Sequence, residues 1–378
     1  MSLLIENHSY KIESICLGKI IDKKQIQNDK NSYIILNVKL FYLNNSSHFS
    51  GFISNIHILK DLPKKYLKKA GIFNFNKTDS LNIGDIVCIH PNGSIVNLFK
   101  EDSLHNSIFV TERCNNSCIM CSQPPKRNND IDEFYSINSK LINLLPSKLH
   151  SIGITGGEPT LLGTKLFLLL EKMSQKLPNT LIHILTNARL FSQLEFTQLI
   201  ASLENQKISF GVPIFSDFYQ IHDFIAQRKG SFYQTLLGLN NLARYNQRIE
   251  LRVILQKHTC NRLLELSQFI FLNLPFVEHI AFMGIEYFGQ AKENESDVWI
   301  DPEEFIPKLN DAIDLLVLNK MNVSIYNLPL CLLPNHLWSF CKKSITEWKK
   351  SYFDKCNSCQ QREICGGVFS SSKEKLII

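Results

Sequence analysis

From residue 107 onward, apolar positions fall into a repeating order of a short strand-like run followed by a longer amphipathic stretch. The runs 107–112, 150–155, 181–186, 208–214, 249–255 and 277–284 are expected strands. Several of the stretches between them, such as 261–272, carry apolar residues at helical spacing. This alternation predicts parallel βαβ units, because a parallel neighbour needs a crossover long enough to hold a helix. Six units are too many for a short flavodoxin-like unit and too few for a closed eight-fold barrel. A last helix is expected from Asp301-Pro-Glu-Glu304, with Asp301 as N-cap and Glu304 placed for a capping box, before the run Asn322-Val-Ser-Ile-Tyr326. Residues 1 to 105 read differently, as short strands broken by Asn, Ser, Lys and Gly, with 33–40 the clearest. The runs 85–89 and 94–99 flank Asn92-Gly93, which predicts a hairpin. The expected organisation is a small β-rich domain (1–105), an α/β domain (106–321) and a C-terminal extension (322–378).

Composition narrows the classes. Charged residues are 20% of the chain and hydrophobic residues 44%, which suits a folded globular protein and not a disordered one. The excess of 41 Lys and Arg over 35 Asp and Glu is mild and scattered, so nucleic acid is not an expected partner. No apolar run is long enough to span a membrane, and the first residues lack a basic and apolar signal pattern. Eleven cysteines, mostly in two groups, fit metal ligation in a reducing cytoplasm better than a disulfide framework. Cys16 and Cys88 stand alone in apolar runs and read as buried small side chains.

The first cysteine group is Cys114-Asn-Asn-Ser-Cys118-Ile-Met-Cys121, directly after the first strand of the repeat. Three thiols in eight residues converge on a soft metal centre more readily than they form disulfides. Iron–sulfur clusters take four cysteines, so a group of three leaves one iron open. Taken alone, the group also suits part of a zinc site. After the second strand comes Thr155-Gly156-Gly157-Glu158-Pro159. Active sites of parallel α/β folds lie at the carboxyl ends of strands, so both loops are expected at one mouth, with the two glycines letting backbone approach a ligand.

The spacing of Cys114, Cys118 and Cys121, with Gly-Gly-Glu-Pro about forty residues on, resembles the radical S-adenosylmethionine (SAM) superfamily. The resemblance implies a partial (β/α)6 barrel. It implies a [4Fe-4S] cluster on the three cysteines, SAM chelated at the fourth iron, and reductive cleavage of SAM to a 5′-deoxyadenosyl radical. It implies that Gly156, Gly157 and Glu158 meet the amino group of SAM, and that Thr186 and Asn187, ending the third strand, contact its ribose or methionine part. An ordinary turn explains Asn187 equally well. Met120 stands where the family more often has an aromatic beside the adenine. His222, Asp223 and Arg228 could touch substrate, although a solvated helix start explains them better. Arg252 on the fifth strand and Glu286 after the sixth are the catalytic candidates, since a charge inside a barrel needs a partner or ligand.

The second group is Cys356-x2-Cys359-x5-Cys365 before Gly366-Gly367, with Cys331 and Cys341 upstream. It resembles part of the cysteine-rich SPASM or twitch extension of radical SAM peptide maturases. Phe369 replaces that motif's next cysteine and His336 its expected glycine, so one auxiliary cluster is implied rather than two. The expected fourth ligand is Cys331, following a strand-like run, with Cys341 on an expected helix in reserve; a zinc site with the same ligands is the alternative. The stretches 111–125, 153–161, 344–349 and 356–367, Ser122-Gln-Pro-Pro125 above all, resemble the C-type radical SAM maturase of the His-Xaa-Ser repeat peptide system. That implies modification of a ribosomally made precursor peptide by hydrogen abstraction, with a sister radical SAM maturase as partner and a reductant such as flavodoxin or ferredoxin. Competing readings are a small-molecule radical SAM enzyme of cofactor or nucleoside biosynthesis, and a non-catalytic metal-bearing binding module.

Overall fold

The structure, a computed structural model, describes residues 2–3, 8–10, 12–21, 32–36, 51–54, 70–73, 81–346 and 349–376. The chain divides into two compact units. One comprises Met1–Ile108, Asp132–Ile152 and Lys172–Thr180; the other comprises Phe109–Ile131, Gly153–Glu171 and Leu181–Ile378.

The first unit is built on strands β1 (Ser2–Leu3), β2 (His8–Tyr10), β3 (Cys16–Ile21), β4 (Ser32–Leu36), β5 (Gly51–Ser54), β6 (Ala70–Phe73), β7 (Ile86–Ile89) and β8 (Ile95–Phe99). They form one sheet in the order β1-β8-β7-β3-β4-β5-β6-β2. Ile20, Ile53, Ile72, Val87, Ile89 and Ile95 make its core, where β-branched side chains pack well on a pleated surface. The expected hairpin is β7–β8: Gly93 takes a left-handed φ of 85°, and the Asn92 side chain accepts from Ser94 N at 3.0 Å. Cys88 is buried, and burial pushes its thiol up to about 12, which suits an inert apolar filler. Of the strand expected at 33–40, residues 33–36 lie in β4 and 37–40 fall outside the described residues.

The second sheet contains β9 (Ser107–Phe109), β10 (Ser151–Thr155), β11 (Leu181–Leu185), β12 (Ile208–Pro213), β13 (Arg248–Leu255), β14 (His279–Gly284), β15 (Val323–Tyr326) and β16 (Cys341–Lys342). Their order in the sheet is their order in the sequence, and β11 through β16 pair in parallel. This is the expected partial barrel, with all six expected strands present and two more supplied by 323–326 and 341–342. The helices in chain order are α1 (Ile131–Leu144), α2 (Thr164–Lys176), α3 (Leu194–Ala201), α4 (Tyr219–Ala226), α5 (Ser231–Arg244), α6 (Lys257–Cys260), α7 (Leu263–Asn273), α8 (Gln290–Glu293), α9 (Glu295–Val298) and α10 (Pro302–Leu318). Along β13 burial alternates: Ile249, Leu251, Val253 and Leu255 are buried, while Glu250, Arg252 and Ile254 are half-buried and line the inner face.

Two local expectations need correction. Asp301 precedes α10 but makes no side-chain cap, because its carboxylate accepts from Trp299 Nε1 at 2.9 Å instead. Cys341 does not lie on a helix; it opens β16 directly after the 3-10 turn Asn335–Phe340. A two-stranded ribbon, β17 (Lys350–Ser351) with β18 (Val368–Phe369), closes the tail. Among the described residues no helix is long and apolar enough to cross a membrane.

Candidate active site

The cysteine loop follows β9, and five neighbouring segments fix its backbone. From the loop after β10, Gly157 N donates to Thr111 O at 2.7 Å and Glu158 N to Arg113 O at 2.8 Å. Asp130 accepts from Thr111 Oγ1 and Glu112 N, both at 2.6 Å. Ser117 N and Ile119 N donate to Ala226 O and Ile225 O at the end of α4. Gln290 N donates to Cys121 O at 2.9 Å, and Asn294 Nδ2 to Ile119 O at 2.9 Å. After β11, Arg189 Nη1 donates to Asn115 O at 2.6 Å and to Asn116 Oδ1 at 2.8 Å, while Asn187 Nδ2 reaches Asn115 Oδ1 at 2.6 Å. A loop anchored this densely is preorganised, so little ordering entropy would oppose ligation by its side chains.

The paired glycines have a different immediate reason from the one expected. A Cβ on Gly157 would stand 2.1 Å from Arg113 O, and one on Gly156 would stand 2.6 Å from Thr111 O. What approaches these glycines is the backbone of the cysteine loop. Gly289 repeats the device with φ +60°, where a Cβ would meet Cys121 O and Ser122 O at 2.8 Å.

Glu158 is 1% exposed and its carboxylate is engaged inside the protein. Oε1 accepts from Thr160 N at 3.0 Å and from Thr160 Oγ1 and Thr186 Oγ1 at 2.6 Å; Oε2 accepts from Asn187 N at 2.7 Å. Burial pushes its carboxyl up, against these hydrogen bonds, which favour the anion. Glu158, Thr186 and Asn187 therefore form one knot joining the ends of β10 and β11 beneath the cysteine loop. Met120 is also largely covered, in an apolar group with Ile119, Phe215, Ile225, Ala226, Ala291 and Val298.

The three thiols are half-buried. Cys114 is pushed up to about 12 by burial and then by Glu158, Cys118 is raised by burial and by Cys114 and Cys121, and Cys121 is raised by burial. Half-buried thiols that raise one another call for a cationic centre to become thiolates. Among the described residues no three His, Cys, Asp or Glu side chains gather as around one ion. Three cysteine thiols are the donor type that iron–sulfur clusters take.

The other expected residues divide. Arg252 lies inside the barrel, its Nε 3.1 Å from Met283 Sδ and 3.6 Å from Glu250 Oε1. Glu286 is paired with Lys349 Nζ at 2.9 Å. His222 is not at a solvated helix start: it is 1% exposed, packed on Phe215 and Phe232, with neither ring nitrogen hydrogen-bonded among the described residues. Its neighbour Asp223 accepts from Gly230 N and Phe232 N, fixing the start of α5. In the tail, burial and then Cys365 and Cys356 raise the thiol of Cys331, whereas Cys341 is pushed up to about 11 by burial and by Cys365 alone. Arg189 and Asp130 were not expected. Arg189 carries a signal in hindsight, since a cation four residues beyond a buried strand must find acceptors.

Comparison with known proteins bears on the segment that carries both loops. Residues 108–269, which contain both the cysteine loop and the Gly-Gly-Glu-Pro loop, match the family model of the radical SAM superfamily. The chain carries a radical SAM domain. No curated protein matches the chain. Among solved structures, the chain is similar to anSMEcpe with bound AdoMet, at 15% identity and TM-score 0.50 over 71% of this chain and 86% of that one. SuiB of Streptococcus suis bound to S-adenosylmethionine gives 14% identity and TM-score 0.47, covering 68% and 56%. Coproporphyrinogen III oxidase (HemN) of Escherichia coli, described as a radical SAM enzyme, gives 13% and 0.43, covering 56% and 52%. The chain spans about half the length of the SuiB structures it matches. At 15% identity the likeness to anSMEcpe concerns the fold alone.

Proposed function

We propose that this protein is a radical SAM peptide maturase: it cleaves SAM reductively and modifies a ribosomally made precursor of His-Xaa-Ser type by hydrogen abstraction. The observation that carries the reading is the cysteine loop itself, three thiols on a backbone pinned from five sides at the mouth of a partial barrel. Cys114, Cys118 and Cys121 would hold a [4Fe-4S] cluster, which when bound supplies the electron for SAM cleavage. The chain's own residues hold and orient. Glu158, Thr186 and Asn187 fix the strand ends beneath the loop, Arg189 draws Asn115 and Asn116 inward, and Met120 with its apolar neighbours keeps water from beneath the site. Gly156, Gly157, Glu158, Thr186, Asn187 and Met120 are the proposed surroundings of SAM. The peptide reading rests on Ser122-Gln-Pro-Pro125 and the cysteine-rich tail. Cys356, Cys359 and Cys365 are proposed to hold an auxiliary cluster with Cys331, whose thiol is raised by burial and by both Cys365 and Cys356, whereas of these Cys341 feels only Cys365. The partners that follow are the precursor peptide, a reductant such as flavodoxin or ferredoxin, and a sister maturase.

The test is iron and sulfide content of anaerobically reconstituted protein, with 5′-deoxyadenosine formation from SAM and dithionite. About eight irons should fall to about four when the triad, or Cys356, Cys359 and Cys365, are changed to Ala. SAM cleavage should be lost with the triad. No iron and no cleavage in the wild type would end the radical reading, and four irons plus one zinc would make the tail a structural site.

A further inference from the structure

Side chains on the inner face of the barrel are arranged in layers. At the amino ends of the strands Glu250 is hydrogen-bonded to His279 Nδ1 at 2.9 Å and lies 3.4 Å from His183 Nε2. Ser324 and Ser209 hold the other nitrogens of those rings, at 3.0 and 2.9 Å. Gly211 makes room for this layer, since a Cβ there would stand 2.7 Å from His183 Nε2. Toward the carboxyl ends, Ile254 packs against the apolar group of Ile119, Met120 and Phe215 that carries the cysteine loop. Arg252 lies between the two layers, two residues and about 7 Å along β13 from Ile254.

Arg252 is the least satisfied member of this lining. Its Nε donates to a thioether, a weak acceptor, and its nearest carboxylate already serves two histidines. Among the described residues its two terminal nitrogens make no hydrogen bond, yet they are not sealed off from solvent. Its side chain is 22% exposed. A partly exposed guanidinium fork left without an acceptor matches one chemistry above others, the planar carboxylate taken by two parallel N–H bonds.

We propose that Arg252 binds a carboxylate of the substrate inside the barrel, from an acidic side chain or a peptide C-terminus, one layer below the cysteine loop. The proposal rests on the radical SAM peptide reading and adds to it the feature of substrate that is recognised. The anchor fixes the substrate's depth, so that the group to be modified, and not the carboxylate, stands at the mouth.

The experiment is ligand-observed NMR titration of the full chain with three probes. N-acetylglutamate amide offers a side-chain carboxylate, N-acetylglycine a terminal carboxylate, and N-acetylglutamine amide is the neutral isostere. The carboxylate probe of the true source should bind on the order of tenfold more tightly than the isostere, and Arg252→Gln should abolish the difference. Arg252→Lys, which keeps the counter-charge for Glu250, should weaken binding severalfold because ammonium lacks the fork; it also covers the case where Arg252→Gln fails to fold. Equal binding of probe and isostere, or full affinity in either variant, overturns the proposal. So does a loss of SAM affinity in Arg252→Gln with probe affinity intact, which would assign the fork to the cofactor. The radical reading is tested separately by wild-type 5′-deoxyadenosine formation, so the two failures are distinguishable.

Discussion

Replacing Gly157 with Ala should separate the loop after β10 from the cysteine loop. The added Cβ would stand 2.1 Å from Arg113 O and 2.5 Å from its carbonyl carbon, both backbone atoms that no rotamer change can move. The two segments must part by more than an ångström, which breaks the bonds from Gly157 N to Thr111 O and from Glu158 N to Arg113 O. Two lost hydrogen bonds cost about 1–3 kcal/mol together, and the overpacking about 1–3 kcal/mol more. The expected destabilisation is about 2–6 kcal/mol, partly relieved if the loop opens locally. Gly163→Ala is the matched control: nothing lies within 4 Å of its Cβ, but φ is +55° with ψ −129°, so backbone strain of about 1–3 kcal/mol is the whole cost. Urea unfolding gives the stability, and iron retained after desalting of reconstituted protein reads the cysteine loop. Gly157→Ala should lose both stability and iron, whereas Gly163→Ala should lose a little stability and no iron. A Gly157→Ala protein with wild-type midpoint and iron would refute the view that this glycine exists for loop-on-loop packing.

Arg189→Gln should cost about 2–4 kcal/mol, because Asn115 O, Asn116 Oδ1 and Gln234 Oε1 lose a charged donor in a buried place; urea midpoints check this, and iron retention should fall with them. Burial holds His222 down at about 4 from an ordinary 6.5, so the folded protein keeps the ring neutral. Its contribution is present above pH 6.5 and is lost as pH falls toward 4, by about 3 kcal/mol in all. His222→Phe should flatten the urea midpoint between those pH values, and parallel slopes for both proteins would contradict neutral burial. Glu250 behaves at lower pH: burial pushes its carboxyl up, but hydrogen bonds to His183 and His279, then the charges of His183 and Arg252, hold it well below the usual range. Its stabilisation is present above the ordinary glutamate value and is lost as pH falls below it, so Glu250→Gln should show a shallower acid limb in circular dichroism melts.

The sequence by itself determined the strands, their parallel pairing and the place of the cysteine loop, since these follow from hydrophobic period, crossover length and spacing along the chain. It determined the β7–β8 hairpin too, because Asn92-Gly93 acts within four residues. What it did not contain was the identity of partners distant in the chain. That Gly157 faces Arg113, that Glu158 serves Thr160, Thr186 and Asn187, and that Arg189 reaches Asn115 and Asn116 are consequences of five segments meeting at one end of a curved sheet. His222 read as solvated because helix position alone sets no burial; packing on Phe215 and Phe232 decided it. Asp301 had the residue type of a cap, but Trp299 Nε1 took its carboxylate. Local rules fix backbone conformation over a few residues, whereas burial and hydrogen-bond partnership depend on which surfaces tertiary packing brings together, and only the folded chain settles that.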